Sequence, residues 1–96
     1  NKEIGIFSAV YLGQDNVVRE LIKADPSCVN KQNRYGWTPL HYVMCIGCSD
    51  AATILMEAGA DPYIQNNDQI RPMVLGAKWG HRSTVNNVCK VLYTTR

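Results

Sequence analysis

The pair Cys45-x-x-Cys48 is the feature of this sequence that most resembles reactive chemistry. Two thiols at that spacing can form a redox couple. With His41 and either His81 or Cys89 they could also supply the four nitrogen and sulfur ligands of a tetrahedral zinc site. Gly47 lies between them, however, where a helix is expected to stop, so Cys45 closes one element and Cys48 opens the next. No second Cys-x-x-Cys accompanies the first. The expectation is a pair of incidental thiols, with a thiol or metal site at Cys45 and Cys48 as the alternative that metal analysis would decide. A catalytic His41 would need a nucleophile or an acid within hydrogen-bond reach, and the sequence nominates none. A glycine-rich phosphate loop is missing, and neither paired carboxylates nor a Ser/His/Asp set stands out. No catalytic residue, metal or cofactor is therefore expected.

The elements that must position these residues recur along the chain, and such recurrence governs the fold. The segment Tyr35–Pro62 aligns with the segment that begins at Asp68: Pro39 falls on Pro72, Gly47 on Gly80, Ala52 on Val85 and Leu55 on Val88, each 33 residues apart. A fainter copy precedes them in Ile6, Ala9, Gly13, Val17, Val18, Leu21 and Ile22. Gly13 stands 34 residues before Gly47, so one residue is inserted within Asp25–Val29. The expectation is one domain over residues 1–96, with units at approximately 1–33, 34–66 and 67–96.

Each unit reads as two helices. In the middle one Thr38 can cap a helix whose first residue is Pro39, where the missing N–H costs nothing. Leu40, Val43 and Met44 then form an apolar stripe at helical spacing, and Gly47 ends it. Ser49 is expected to cap a second helix with Ala52, Leu55 and Met56 as its buried stripe. Gly59 stops that helix, Asp61-Pro62 turns the chain, and the stretch rich in Asn, Arg and Gly before Trp37 reads as a loop or short hairpin.

The run Gly36-Trp37-Thr38-Pro39-Leu40-His41, the glycine six residues after the His, and Ala58-Gly59-Ala60-Asp61-Pro62 resemble the ankyrin repeat. The resemblance is strongest over Arg34–Asn66. In the third unit the signature has become Arg71-Pro72-Met73-Val74, with Gln69 in place of the turn glycine, and in the first it is lost. It implies an all-α fold, a solenoid of helix-turn-helix units joined by short hairpin loops. It implies that His41 and His81 bond backbone groups and tie helices to neighbouring segments. Outer units that cover an open end fit the departures: Arg82, Ser83, Asn86, Asn87 and Lys90 surround the thin stripe Val85, Val88 and Cys89 in a C-terminal cap. Ile4, Ile6 and Phe7 mark an upstream boundary or a cut through a longer array.

The resemblance also implies binding on a concave surface made by first helices and hairpin tips. On the first helices it places Tyr11 and Leu12, Cys45 and Ile46, and Lys78 and Trp79 there; on the hairpins it places Arg34, Tyr35 and Trp37, and Asn67, Asp68 and Ile70. Tyr, Trp and Arg commonly carry interface energy, and Leu12, Ile46 and Ile70 add an apolar track. The expected partner is another protein or peptide. The net charge of +2 is too small to imply nucleic acid. Arg71, Lys78, Arg82, Lys90 and Arg96 with no acid among them would favour an acidic segment.

Composition bounds the remaining classes. Hydrophobic residues at 46% and charged residues at 19% exclude a disorder-type chain. No apolar run approaches the ~18 residues of a membrane span. The start, Asn1-Lys2-Glu3, has neither a signal pattern nor an initiator Met, and reads as a fragment or processed product. Four cysteines without a secretory signal or an Asn-x-Ser/Thr acceptor favour an intracellular setting, cytoplasmic or nuclear, with reduced thiols. The expected function is protein–protein interaction as a scaffold or adaptor module. The alternative is a non-catalytic regulatory or assembly domain of a larger enzyme or channel. Degenerate signatures and core Cys and Met point to a natural rather than a designed array.

Overall fold

The computed structural model describes residues 5–94, so Ile4 and Arg96 lie outside the described residues. Six helices follow in order: α1 (Ile6–Tyr11), α2 (Asp15–Ala24), α3 (Pro39–Ile46), α4 (Ser49–Glu57), α5 (Pro72–Lys78) and α6 (Arg82–Thr94). A single 3₁₀ turn spans Pro26–Asn30, and no strand occurs among the described residues. The helices pair within each unit and stack in two layers. In the first layer α3 packs between α1 and α5; in the second α4 packs between α2 and α6.

Local chemistry starts and stops α3 where the sequence predicts. Thr38 Oγ1 accepts from the His41 N–H at 3.3 Å, and the Thr38 N–H donates to His41 Nδ1 at 3.0 Å, a reciprocal cap of α3. Gly47 takes φ 79, the left-handed conformation that ends α3 at little cost only for glycine. Ser49 corrects the expectation: Cys48, not Ser49, occupies the cap position of α4, and it makes no side-chain cap bond. The Ser49 hydroxyl instead lies 3.2 Å from Thr84 Oγ1 on α6, so it is used between units rather than within its own helix.

The stripes are buried as helical spacing requires. Leu40, Val43 and Met44 are fully buried in the first layer; Ala52 and Leu55 are fully buried in the second, with Met56 close to it. Two glycines record how closely the second and third units approach. A Cβ on Gly76 would lie 2.5 Å from Met44 Cε and 2.6 Å from Val85 Cγ2, and one on Gly47 would lie 2.5 Å from His81 Nδ1. The inserted residue is accommodated around the turns. Asp25 Oδ1 accepts from Ser27 N at 3.2 Å and Asp61 Oδ1 from Tyr63 N at 2.9 Å, so the two Asp-Pro turns are equivalent. The first unit lacks a counterpart of Gly59-Ala60 before its turn, and after it gains the residues of the 3₁₀ segment.

The last helix exposes Arg82, Ser83, Asn86 and Lys90, while Asn87 is half-buried with its amide donating to Thr53 Oγ1 at 3.4 Å. Val88 and Thr84 are buried; Val85 and Cys89 are half-buried. The end of the stack is polar on α6 alone. On α5, Val74 is 50% exposed and Ala77 is exposed, at the positions where the middle unit buries His41 and Met44 under its neighbour.

Candidate partner-binding surface

Two asparagines, 33 residues apart, build the hairpin loops. Asn33 Oδ1 accepts from Tyr35 N at 2.9 Å and Trp37 N at 3.0 Å. Asn66 Oδ1 accepts in the same way from Asp68 N at 2.8 Å and Ile70 N at 3.0 Å. The loops lock side by side: Asn67 N donates to the Tyr35 carbonyl at 3.0 Å, Asn67 Nδ2 to the Arg34 carbonyl at 2.9 Å, and Gln32 Nε2 to the Gln65 carbonyl at 3.3 Å. Gly36 permits this approach, because a Cβ there would meet Asn67 N at 2.6 Å.

An aromatic cluster joins the first hairpin to the helices. The Tyr42 hydroxyl accepts from Asn33 Nδ2 at 2.7 Å. Its ring lies 4.8 Å from Trp37, 5.7 Å edge-on from Phe7 and 6.5 Å edge-on from Tyr11, centroid to centroid. Edge-to-face and tilted pairs at these separations are attractive. Phe7, Ser8, Tyr11, Leu12 and Tyr42 line an open concavity of about 390 Å³ between α1 and α3.

Tyr11, Leu12, Ile46 and Trp79 are exposed at the C-terminal ends of the first-layer helices, Tyr11 at 62% and Trp79 at 56%. Tyr35 is exposed on the first hairpin, and Arg34, Asn67, Asp68 and Lys78 are exposed as well. Trp37 and Ile70 on the hairpins and Cys45 on α3 are half-buried, less open than the other candidates. Trp37 stacks on Tyr42 and, at 5.6 Å, on His41. Cys45 and Ile70 pack against the core. The exposed Asn67 uses its amide to hold the hairpins together. Phe7, read from the sequence as a boundary residue, and Ser8 and Tyr42, not singled out there, also line this face. The usable signal was spacing: Phe7 and Tyr11 share a helix face at i, i+4, and Tyr42 shares one with Ile46.

Charge of both signs lies on the second-layer helices, where Arg19, Lys23, Arg82 and Lys90 accompany the acids, whereas the first layer is mostly basic. Among the described residues, Asp15, Glu20, Asp50 and Glu57 lie on α2 and α4, and Asp25 and Asp61 on the turns that follow. The hairpins and first-layer helices carry Arg34, Arg71 and Lys78 against one carboxylate, Asp68. Two of these cations rest on exposed rings, Arg34 over Tyr35 and Lys78 over Trp79, each 5.7 Å from the ring centroid.

The histidines have backbone partners. His41 is fully buried; its Nε2 donates to the Ile70 carbonyl at 2.8 Å and its Nδ1 accepts from Thr38. Burial pushes its imidazole below the ordinary value, the Ile70 bond opposing this only in part. His81 Nε2 donates to the Cys45 carbonyl at 3.1 Å. Burial, with Asp25 nearby, pushes the Cys28 thiol up and away from the reactive thiolate. Among the described residues no three His, Cys, Asp or Glu side chains gather as a metal site would require, and no helix is long and apolar enough to cross a membrane.

A family model described as ankyrin repeats, in three copies, matches residues 6–94. The chain is 28% identical over 90 residues to the putative E3 ubiquitin-protein ligase XBAT31 of Arabidopsis thaliana, covering 93% of this chain and 20% of that protein. It is 38% identical over 56 residues to human ankyrin repeat and SAM domain-containing protein 3, covering 58% and 8%. It is 32% identical over 71 residues to ankyrin repeat and SOCS box protein 2 of Bos taurus, covering 72% and 11%. The chain thus spans a fifth or less of these relatives.

Proposed function

The chain belongs to the ankyrin-repeat family, and from that premise we propose that it is a protein-interaction module that binds a partner along its first-layer surface. The observation that carries this reading is the line of large apolar side chains left in solvent there. Tyr11, Leu12, Tyr35, Ile46 and Trp79 are exposed beside a continuous buried core that all three units share. Such patches on a folded chain mark contact surfaces, and Tyr, Trp and Arg are the types that commonly carry interface energy. The candidate set is Tyr11, Leu12, Arg34, Tyr35, Trp37, Cys45, Ile46, Asn67, Asp68, Ile70, Lys78 and Trp79, in one domain over 1–96. The favoured partner is an acidic protein or peptide segment. Four free cysteines suit an intracellular setting, cytoplasmic or nuclear.

A second reading places this module in a larger protein, where it would govern assembly or substrate access. It is favoured by the small share of each relative that the chain spans, one of those relatives being named as a putative ubiquitin ligase. In both readings this segment binds and does no chemistry. The test is the affinity of Trp79→Ala and Tyr35→Ala for a partner obtained by pull-down. A loss of about tenfold or more in each is expected for buried aromatic contacts, and undiminished affinity in folded variants would overturn the reading.

A further inference from the structure

We infer that the preferred ligand is a short acidic segment carrying one bulky apolar side chain, which enters the concavity between α1 and α3 while carboxylates meet Arg34 and Lys78. The inference rests on the first-layer surface being the binding face. Three observations on that face carry it. First, the concavity is mostly apolar: Phe7, Tyr11, Leu12 and Tyr42 line it with Ser8, the Tyr42 hydroxyl being engaged by Asn33, and at about 390 Å³ it has room for a Phe or Leu side chain. Second, its floor is fixed, because Tyr42 is held by Asn33 and by three aromatic contacts, so a ligand need not order it.

Third, cations outnumber acids on the face that holds it. Arg34, Arg71 and Lys78 face solvent on the hairpins and first-layer helices, with Asp68 the only acid there among the described residues. Cations over Tyr35 and Trp79 present apolar surface and positive charge at the same two places. A basic ligand would lose this attraction and meet repulsion. Two interhelical spacings of roughly 8–10 Å separate α1 from α5, which an extended segment rising ~3.3 Å per residue crosses in about five or six residues. The ligand therefore needs only one apolar anchor and acids within that reach.

The experiment is selection of a phage-displayed random dodecapeptide library on the intact chain, followed by affinity measurement with synthetic peptides. Enriched peptides are expected to combine Asp or Glu with one Phe, Trp or Leu. Replacing that anchor by Ala should weaken binding about tenfold or more. Ser8→Trp, which fills the concavity from an exposed position, should do the same, and Ser8→Ala should not. The pair Arg34→Glu and Lys78→Glu should weaken binding about tenfold together, and added salt should lower wild-type affinity. No enrichment, or enrichment of basic or uncharged peptides, would overturn the inference. If such peptides were still weakened by Trp79→Ala and Tyr35→Ala, the binding face would stand and the ligand chemistry alone would fall. If they were insensitive to both, the face would fall too.

Discussion

Tyr42→Phe removes one oxygen and tests how the first hairpin is held. That oxygen accepts from Asn33 Nδ2 at 2.7 Å, while Asn33 Oδ1 holds the hairpin through Tyr35 and Trp37. Phe keeps the ring and its contacts with Phe7 and Trp37, so the loss is that of a hydrogen bond and leaves a donor behind. The chain contains its own reference. Asn66 builds the second hairpin identically, but the residue nine positions on is Leu75 rather than a tyrosine, and Asn66 Nδ2 is buried without a partner. A hairpin can therefore fold in this state, and the variant should lose stability without losing structure. Orphaning a fully buried donor costs about 1–3 kcal/mol, and the half-buried setting of Asn33 and Tyr42 puts the expected value near the bottom of that range, about 1 kcal/mol. For a domain of this size that corresponds to a Tm lower by roughly 4–8 °C. Urea unfolding should show a lower midpoint at unchanged slope, with the near-ultraviolet circular dichroism preserved. An unchanged midpoint would refute the reasoning, since it would mean water replaces the hydroxyl without loss. A collapse of the aromatic spectrum would refute it differently, by showing that the hydroxyl fixes the cluster.

Gly47→Ala and Gly13→Ala separate backbone strain from packing. Both residues have positive φ, 79 and 73, but only at Gly47 would the new Cβ meet a side chain, His81 at 2.5 Å; at Gly13 nothing lies within 4 Å. Strain alone predicts about 1–2 kcal/mol at Gly13, and about 2–4 kcal/mol is expected at Gly47 once overpacking is added. Equal losses in chemical denaturation would contradict this. Stability should also fall as pH drops below the ordinary histidine value near 6.5. The unfolded His41 takes up a proton there, whereas the folded one is held lower, its Nδ1 facing the Thr38 N–H, so protonation favours unfolding. The slope from this residue cannot exceed about 1.4 kcal/mol per pH unit, and His41→Gln should flatten it. Retention of the full slope in that variant would show that another group is responsible.

The middle unit was legible because its signals are local. Thr38, Pro39 and Gly47 act on the backbone of their own helix, and a 33-residue period needs no knowledge of what lies opposite. Ser49 failed as a cap because its hydroxyl partner, Thr84, is 35 residues away, and a pairing between units leaves no local trace. The same reason hid Tyr42. Its importance comes from Phe7, Tyr11, Trp37 and Asn33, which surround it only after three segments have packed. Trp37 and Ile70 were assigned to tips by family geometry, but bulky apolar side chains near a core turn towards it, and both lean on α3 or its neighbours. Exposed positions such as Tyr11 and Trp79 were easier, because an aromatic residue just before a turn glycine has little interior to enter.

The central claim is that partners engage the first-layer surface, and amide chemical-shift mapping of the isotopically labelled chain tests it most directly. On addition of a partner captured by pull-down, the account predicts perturbations concentrated at Tyr11, Leu12, Tyr35, Tyr42, Ile46, Lys78 and Trp79. Perturbations centred instead on the second layer, at Arg19, Lys23, Ile54, Glu57 and Lys90, would contradict it.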